Sequence, residues 1–298
     1  MTLTVYLPLL LPALVAVAAR LAADRARPRA AVPALVAAAV LTAVATIWSL
    51  LLLILTLFDD LPDMAALDSR SGLHLPKPVP DAVAVVAVVL LAVVLFRLER
   101  DVHLRRGTAR RLRHAGPSAG GVVVADWAEP LAVAVPGRPG EILLTTGMLR
   151  ALDVDERRAV VAHERAHLAH RHHLAVLLAG AAAAVNPLLR PARDAVAYLV
   201  ERWADEEAAA GVGDRRLVAR AVARAALATA GHPASAPAPA LGVHGSVIVR
   251  RVCALQAPPP AAMRWQSPLL AGVAVAALVL EATATADFVA VLRAWLIP

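Results

Sequence analysis

One cysteine, Cys253, occurs in 298 residues, so no intrachain disulfide can form, and the reading is of a protein that suits a reducing compartment. Aromatic residues are also few, at 3%. Few rings are then available to stack on bases, which argues against nucleic acid as a partner although the formal charge is +7. No Lys or Arg precedes Arg20, so the basic start of a cleaved signal peptide is missing. No internal repeat is visible.

Apolar residues are abundant instead. They make up 59% of the chain, against about 45–50% in an ordinary soluble domain, and the mean hydropathy is +0.65. They are gathered in blocks, as membrane spans require. Met1–Ala19 carries no charge and is followed by Arg20, Arg25, Arg27 and Arg29, the pattern of a retained anchor with its N-terminus outside. Ala30–Phe58 is the strongest candidate span. Ala82–Phe96 is a shorter one, bounded by Asp81 and by Arg97, whose long side chain can reach the interface. A basic stretch, Arg97 to Arg113, follows it. Counting Lys and Arg near the span ends puts the first loop and this stretch in the cytoplasm, and the acidic Asp59–Asp81 loop outside. One further span is expected within Pro268–Trp295, entering from inside after Arg250, Arg251 and Arg264. Glu281 lies in or near it.

Between the third and last spans lies a water-soluble region. Val122–Val124, Leu131–Val135 and Glu141–Thr145 read as short strands, with Gly137-Arg138-Pro139-Gly140 as a turn. Asp153 is a helix cap with Glu156 as its capping-box partner, and that helix is expected to run to His173. Leu174–Leu189 is apolar and could be a core helix, a re-entrant element or a short span. Asp194–Ala210 is another helix, and His232–Ser246 is a flexible connection. The expected architecture is therefore mainly α and integral to the membrane, with about four transmembrane helices. Residues 1–97 hold three spans, 98–255 an inserted α+β domain, and 256–298 a linker and the last span.

The chemistry-bearing pattern is His163-Glu164-Arg165-Ala166-His167. On a helix, residues four apart share a face, so both imidazoles can reach one Zn²⁺. Glu164, one residue on from the first ligand, projects beside the metal, where its carboxylate can take a proton from water. The apolar run Ala159–Ala162 packs this helix and weighs against a merely solvated His-rich surface. A third ligand must come from elsewhere. Asp194–Ala210 offers Glu201, Asp205, Glu206 and Glu207; Glu201 is the expected ligand, with Asp205 on the same face orienting a ligating imidazole. His170, His172 and His173 are read as polar surface, or as groups behind the ligands. Cys253 is read as buried or incidental.

These motifs together resemble the gluzincin membrane metallopeptidases. The order is the Val-Pro-Gly strand, Ile142–Leu149, the His163–His173 helix, and Glu201-Arg202-Trp203-Ala204-Asp205. One branch contains the β-lactam-sensing antirepressor proteases, and the predicted spans favour it. The other contains the membrane quality-control and prenyl-protein proteases. The resemblance implies a zincin-like metallopeptidase fold with zinc on His163, His167 and Glu201. It implies Glu164 as general base and Asp205 behind the ligands. It also implies substrate pairing along the strand before the zinc helix, at Leu143, Leu144 and Thr145. The chain departs from the family in three respects. Leu131–Val135 stands where the quality-control branch has an Asn, no cysteine precedes Asp205, and no extracellular sensor domain follows the last predicted span.

The expected function is that of a zinc-dependent metalloendopeptidase acting on protein or peptide substrates at the cytoplasmic face of the bilayer, with regulatory proteolysis as its expected setting. The alternative is a catalytically silent membrane scaffold or signalling protein that keeps a metal site. An intact Glu164 argues against it, because a structural site needs no base.

Overall fold

The computed structural model describes residues 11–55, 80–112, 118–231 and 240–258, and isolated positions outside them. Three helices come first: α1 (Leu11–Arg25), α2 (Pro28–Leu55) and α3 (Asp81–Leu112). A small sheet follows, made of β1 (Ser118–Ala119), β2 (Val122–Ala125), β3 (Ala132–Val135) and β4 (Glu141–Thr145). Then come α4 (Thr146–Ala151), α5 (Val154–Ala169), α6 (His172–Val185), α7 (Arg190–Val212), α8 (Arg215–Ala230) and α9 (Ala240–Gln256).

Among the described residues, two helices are long and apolar enough to cross a membrane, Pro28–Leu55 and Asp81–His103. They support association with a membrane. α1 is apolar over Leu11–Ala23, and the first ten residues of the expected Met1–Ala19 span lie outside the described residues. The predicted Asp59–Asp81 loop and last span, with Glu281, fall largely outside the described residues. α2 meets the demands of an apolar setting internally. Thr42 Oγ1 donates to the Ala38 carbonyl at 2.8 Å, and Thr46 Oγ1 to that of Thr42 at 2.9 Å. α3 runs unbroken from the apolar Asp81–Phe96 half into the basic half, so the 97/98 boundary drawn from composition falls inside one helix.

The sheet order is β1-β2-β4-β3. β3 and β4 form an antiparallel hairpin across the expected Gly137–Gly140 turn, and β2 lies parallel to β4 on its other side. This overturns one expectation. Leu143, Leu144 and Thr145 are on an interior strand, paired with Val133 and Ala132 on one side and with Val123–Ala125 on the other. Their backbone groups are used within the sheet, and all three side chains are buried. Thr145 instead ties the fold together. Its hydroxyl donates to the Glu129 carbonyl at 2.6 Å and accepts from Leu131 N at 2.9 Å and Met148 N at 3.2 Å, capping α4. Gly147 follows because a Cβ there would meet the Ala128 carbonyl oxygen at 2.1 Å.

The capping box is as expected: Asp153 Oδ1 accepts from Glu156 N at 2.9 Å, and Glu156 Oε2 from Asp153 N at 3.1 Å. The helix it opens stops short of His173. It ends at Ala169, Arg171 takes a left-handed conformation (φ 50°), and α6 leaves at 62° to α5. Asn186 then closes α6, and Pro191 sits in the first turn of α7, where its missing N–H costs nothing. α7 therefore starts four residues before Asp194. The connection after α8 is shorter than read from composition, since α9 begins at Ala240.

Two cores result. α1, α2, α6 and the first half of α7 (Ala192–Val200) form one. The sheet, α4, α5, α8, α9 and the end of α7 (Ala208, Ala209) form the other. α7 belongs to both, and Glu201 and Asp205 lie on it between the two.

Candidate metal centre

Helical spacing brings His163 and His167 onto one face of α5, their Nε2 atoms 3.1 Å apart. α7 packs across α5 and delivers Glu201, whose Oε2 is 3.4 Å from His163 Nε2 and whose Oε1 is 3.6 Å from His167 Nε2. One ligand atom from each of these three residues lies within 4.8 Å of the others, making a group that could hold a metal ion. A tetrahedral zinc with bonds of about 2.0–2.1 Å keeps its ligand atoms about 3.3 Å apart. The two imidazoles and one carboxylate match that donor set and spacing.

The far side of each imidazole is also engaged. His163 Nδ1 lies 3.0 Å from Asp205 Oδ1. His167 Nδ1 lies 3.2 Å from Nδ1 of His172, which is 1% exposed. The turn at Arg171 thus carries His172 inward, while His173 is exposed and His170 stacks on Trp203 with ring centroids 4.6 Å apart. Glu164 stands beside the cluster. Its Oε2 accepts from the Ala134 N–H of β3 at 2.7 Å, which fixes the carboxylate between the sheet and the two histidines.

Two contacts of the cluster were not read from the sequence. Arg251, taken as a topology marker, reaches in from α9. Its Nε and Nη2 donate to Asp205 Oδ2 and Oδ1 at 2.8 and 2.7 Å, and its Nη1 lies 2.9 Å from Glu201 Oε2. The edge strand is the second: β3, not β4, faces Glu164. Asp205 and Arg251 are 46 residues apart, a pairing that no local pattern signals. Cys253, also on α9, is exposed and takes no part.

The electrostatics follow from these contacts. Burial pulls the His163 imidazole down, but bonds to Asp205 and Glu201 outweigh it and hold the ring up at about 10. Burial would raise Glu201, yet His163 and Arg251 hold its carboxyl well below the usual range. Asp205 is likewise lowered against its burial, chiefly by its bonds from Arg251. His167 is pulled down to about 4 by burial. Burial also raises Glu164, which makes it a better proton acceptor once ionised. The carboxylates that favour a proton on His163 equally favour a cation at the ligand cluster.

A helix with His-Glu-x-x-His, a glutamate from a following helix and an adjoining sheet edge define a peptidase-like centre of the gluzincin type. Residues 100–223 match the model of peptidase family M48. The match points to a metallopeptidase for this segment. No curated protein and no solved structure matches it. The leaning toward the antirepressor branch rests on predicted topology alone.

Proposed function

We propose that the chain is a membrane-bound zinc metalloendopeptidase that cleaves protein or peptide substrates at the cytoplasmic face. The observation that carries this is the convergence of His163, His167 and Glu201, with Glu164 held beside them by Ala134. His163, His167 and Glu201 would hold the zinc, and bound zinc supplies a Lewis acid that lowers the pKa of water and polarises the scissile carbonyl. Glu164 takes the proton from the attacking water and delivers it to the amide nitrogen as the C–N bond breaks. Asp205 Oδ1, 3.0 Å from His163 Nδ1, would take up that nitrogen's N–H and so fix the ring and its tautomer.

Substrate recognition by strand addition is assigned to β3. It lies at the end of the strand order, and its Ala134 N–H points away from β4 toward Glu164. A peptide paired along that edge would pass the catalytic carboxylate.

Multi-pass insertion is part of the same reading. α3 exposes Val85, Val86, Val89, Leu95 and Phe96, as a lipid-facing helix does. Thr285, inside the expected last span, accepts from Trp48 Nε1 of α2 at 2.9 Å, which supports a C-terminal span beside α2. The basic ends of α1 and α3 favour a cytoplasmic catalytic domain.

The test is cleavage of an unfolded protein by the purified full-length chain in detergent. Activity should vanish on chelation, return with zinc, and be missing in His163→Ala. Cleavage that survives chelation, or that persists in His163→Ala, would end the proposal.

A further inference from the structure

We propose that Arg251 of α9 is a positioning residue of the metal centre: its guanidinium fixes Glu201 and Asp205, and through Asp205 His163, in the arrangement that receives the metal. The inference rests on the reading of His163, His167 and Glu201 as the metal-binding set. Arg251 itself lies outside the segment that matches the family model.

Glu201 and Asp205 are one helical turn apart on the same face of α7. Two carboxylates so placed repel each other, and Asp205 is only 2% exposed, so its charge needs a partner. The guanidinium answers both. Two N–H groups meet the two Asp205 oxygens at 2.7 and 2.8 Å, the paired geometry in which Arg binds a carboxylate best, and Nη1 reaches Glu201 Oε2 at 2.9 Å. Glu201 Oε1, near His167 Nε2, is left without an Arg251 bond. The Arg251 side chain is only 13% exposed, so solvent does little to weaken these bonds. Charges also balance. Glu164, Glu201 and Asp205 carry three negative charges, and a divalent cation with Arg251 carries three positive. Without Arg251 a half-buried site keeps an excess negative charge, and Asp205 loses the two bonds that aim it at His163.

α9 is fastened at a second point. Arg215, at the start of α8, donates to the carbonyls of Leu255 and Ala254 at 3.0 and 3.1 Å, groups left open at the end of α9, and pairs with Glu206. Consecutive residues of α7, Asp205 and Glu206, thus hold the same helix, one directly and one through Arg215. Only the first contact touches the metal-binding set, and this separates positioning from docking.

The experiment measures zinc affinity of the full-length protein in detergent by competition with a chromogenic chelator, and the visible spectrum of the Co²⁺-loaded protein. The variants are Arg251→Gln, Arg251→Lys, Arg215→Ala and His163→Ala. Residues that orient metal ligands change affinity by about 10–100-fold when lost, and Arg251→Gln should fall in that range. Arg251→Lys keeps the charge but not the fork; it should show an intermediate loss and a shifted Co²⁺ spectrum, and it carries the test if Arg251→Gln does not fold. Arg215→Ala should lower thermal stability and leave zinc affinity near that of wild type. Wild-type affinity and spectrum in both Arg251 variants, with His163→Ala unable to bind, would overturn the inference alone. An equal loss in Arg215→Ala would also overturn it, since docking would then explain the effect. Wild-type zinc binding by His163→Ala would bring down the underlying metal-site reading.

Discussion

Glu164→Gln separates metal binding from chemistry, because Glu164 is held by the sheet and not by the ligand cluster. Its Oε2 accepts from Ala134 N at 2.7 Å. The amide oxygen of Gln can accept the same bond in nearly the same volume. A neutral bond replaces a charge-assisted one, at a cost of about 1 kcal/mol, while removing a carboxylate that burial disfavours offsets part of that. Fold and zinc content should therefore be close to wild type. Catalysis should not. A general base supplies about 10²–10⁴-fold, equivalent to about 3–5 kcal/mol of barrier, so residual turnover should be at most about one part in a hundred. The assay is turnover of an unfolded protein or peptide in detergent, with zinc measured on the same sample. Loss of zinc together with activity would make Glu164 structural. Retained zinc with undiminished turnover would refute the mechanism outright.

Glu201→Ala should weaken zinc binding strongly, leaving two imidazoles and water; full zinc occupancy measured in that variant would place the third ligand elsewhere. Thr145→Val should destabilise the protein by about 2–4 kcal/mol in denaturant titration, since the Leu131 and Met148 N–H groups lose their acceptor. If Thr145 bound substrate instead, KM would rise while stability stayed unchanged. Gly147→Ala should lower the thermal midpoint markedly, because the new Cβ would overlap the Ala128 carbonyl. Reporter fusions at Asp68 and Gly116 should give opposite signals across the membrane, and equal signals would rule out a crossing by α3 and with it the four-span topology.

The sequence by itself determined whatever depends on neighbours within a few residues. Helical periodicity alone puts His163 and His167 on one face and, in the next long helix, Glu201 with Asp205. The Asp153–Glu156 capping box, the Gly137–Gly140 turn and the bounds of β4 are equally local, and composition alone marks α2 and α3 as apolar enough to cross a membrane. Tertiary structure decided the rest. Whether β4 or β3 is the edge depends on which side of β4 receives β2, a choice made by packing and not by alternation within either strand. The left-handed turn at Arg171, where neither Gly nor Asn stands, ends α5 early and buries His172 against His167. The deepest contact, Arg251 with Asp205 and Glu201, joins helices separated by α8 and the connection after it. A charge next to another Arg on an ordinary helix carries no mark of its partner; only the docking of α9 against α7, in a site where buried carboxylates require a counter-charge, selects it.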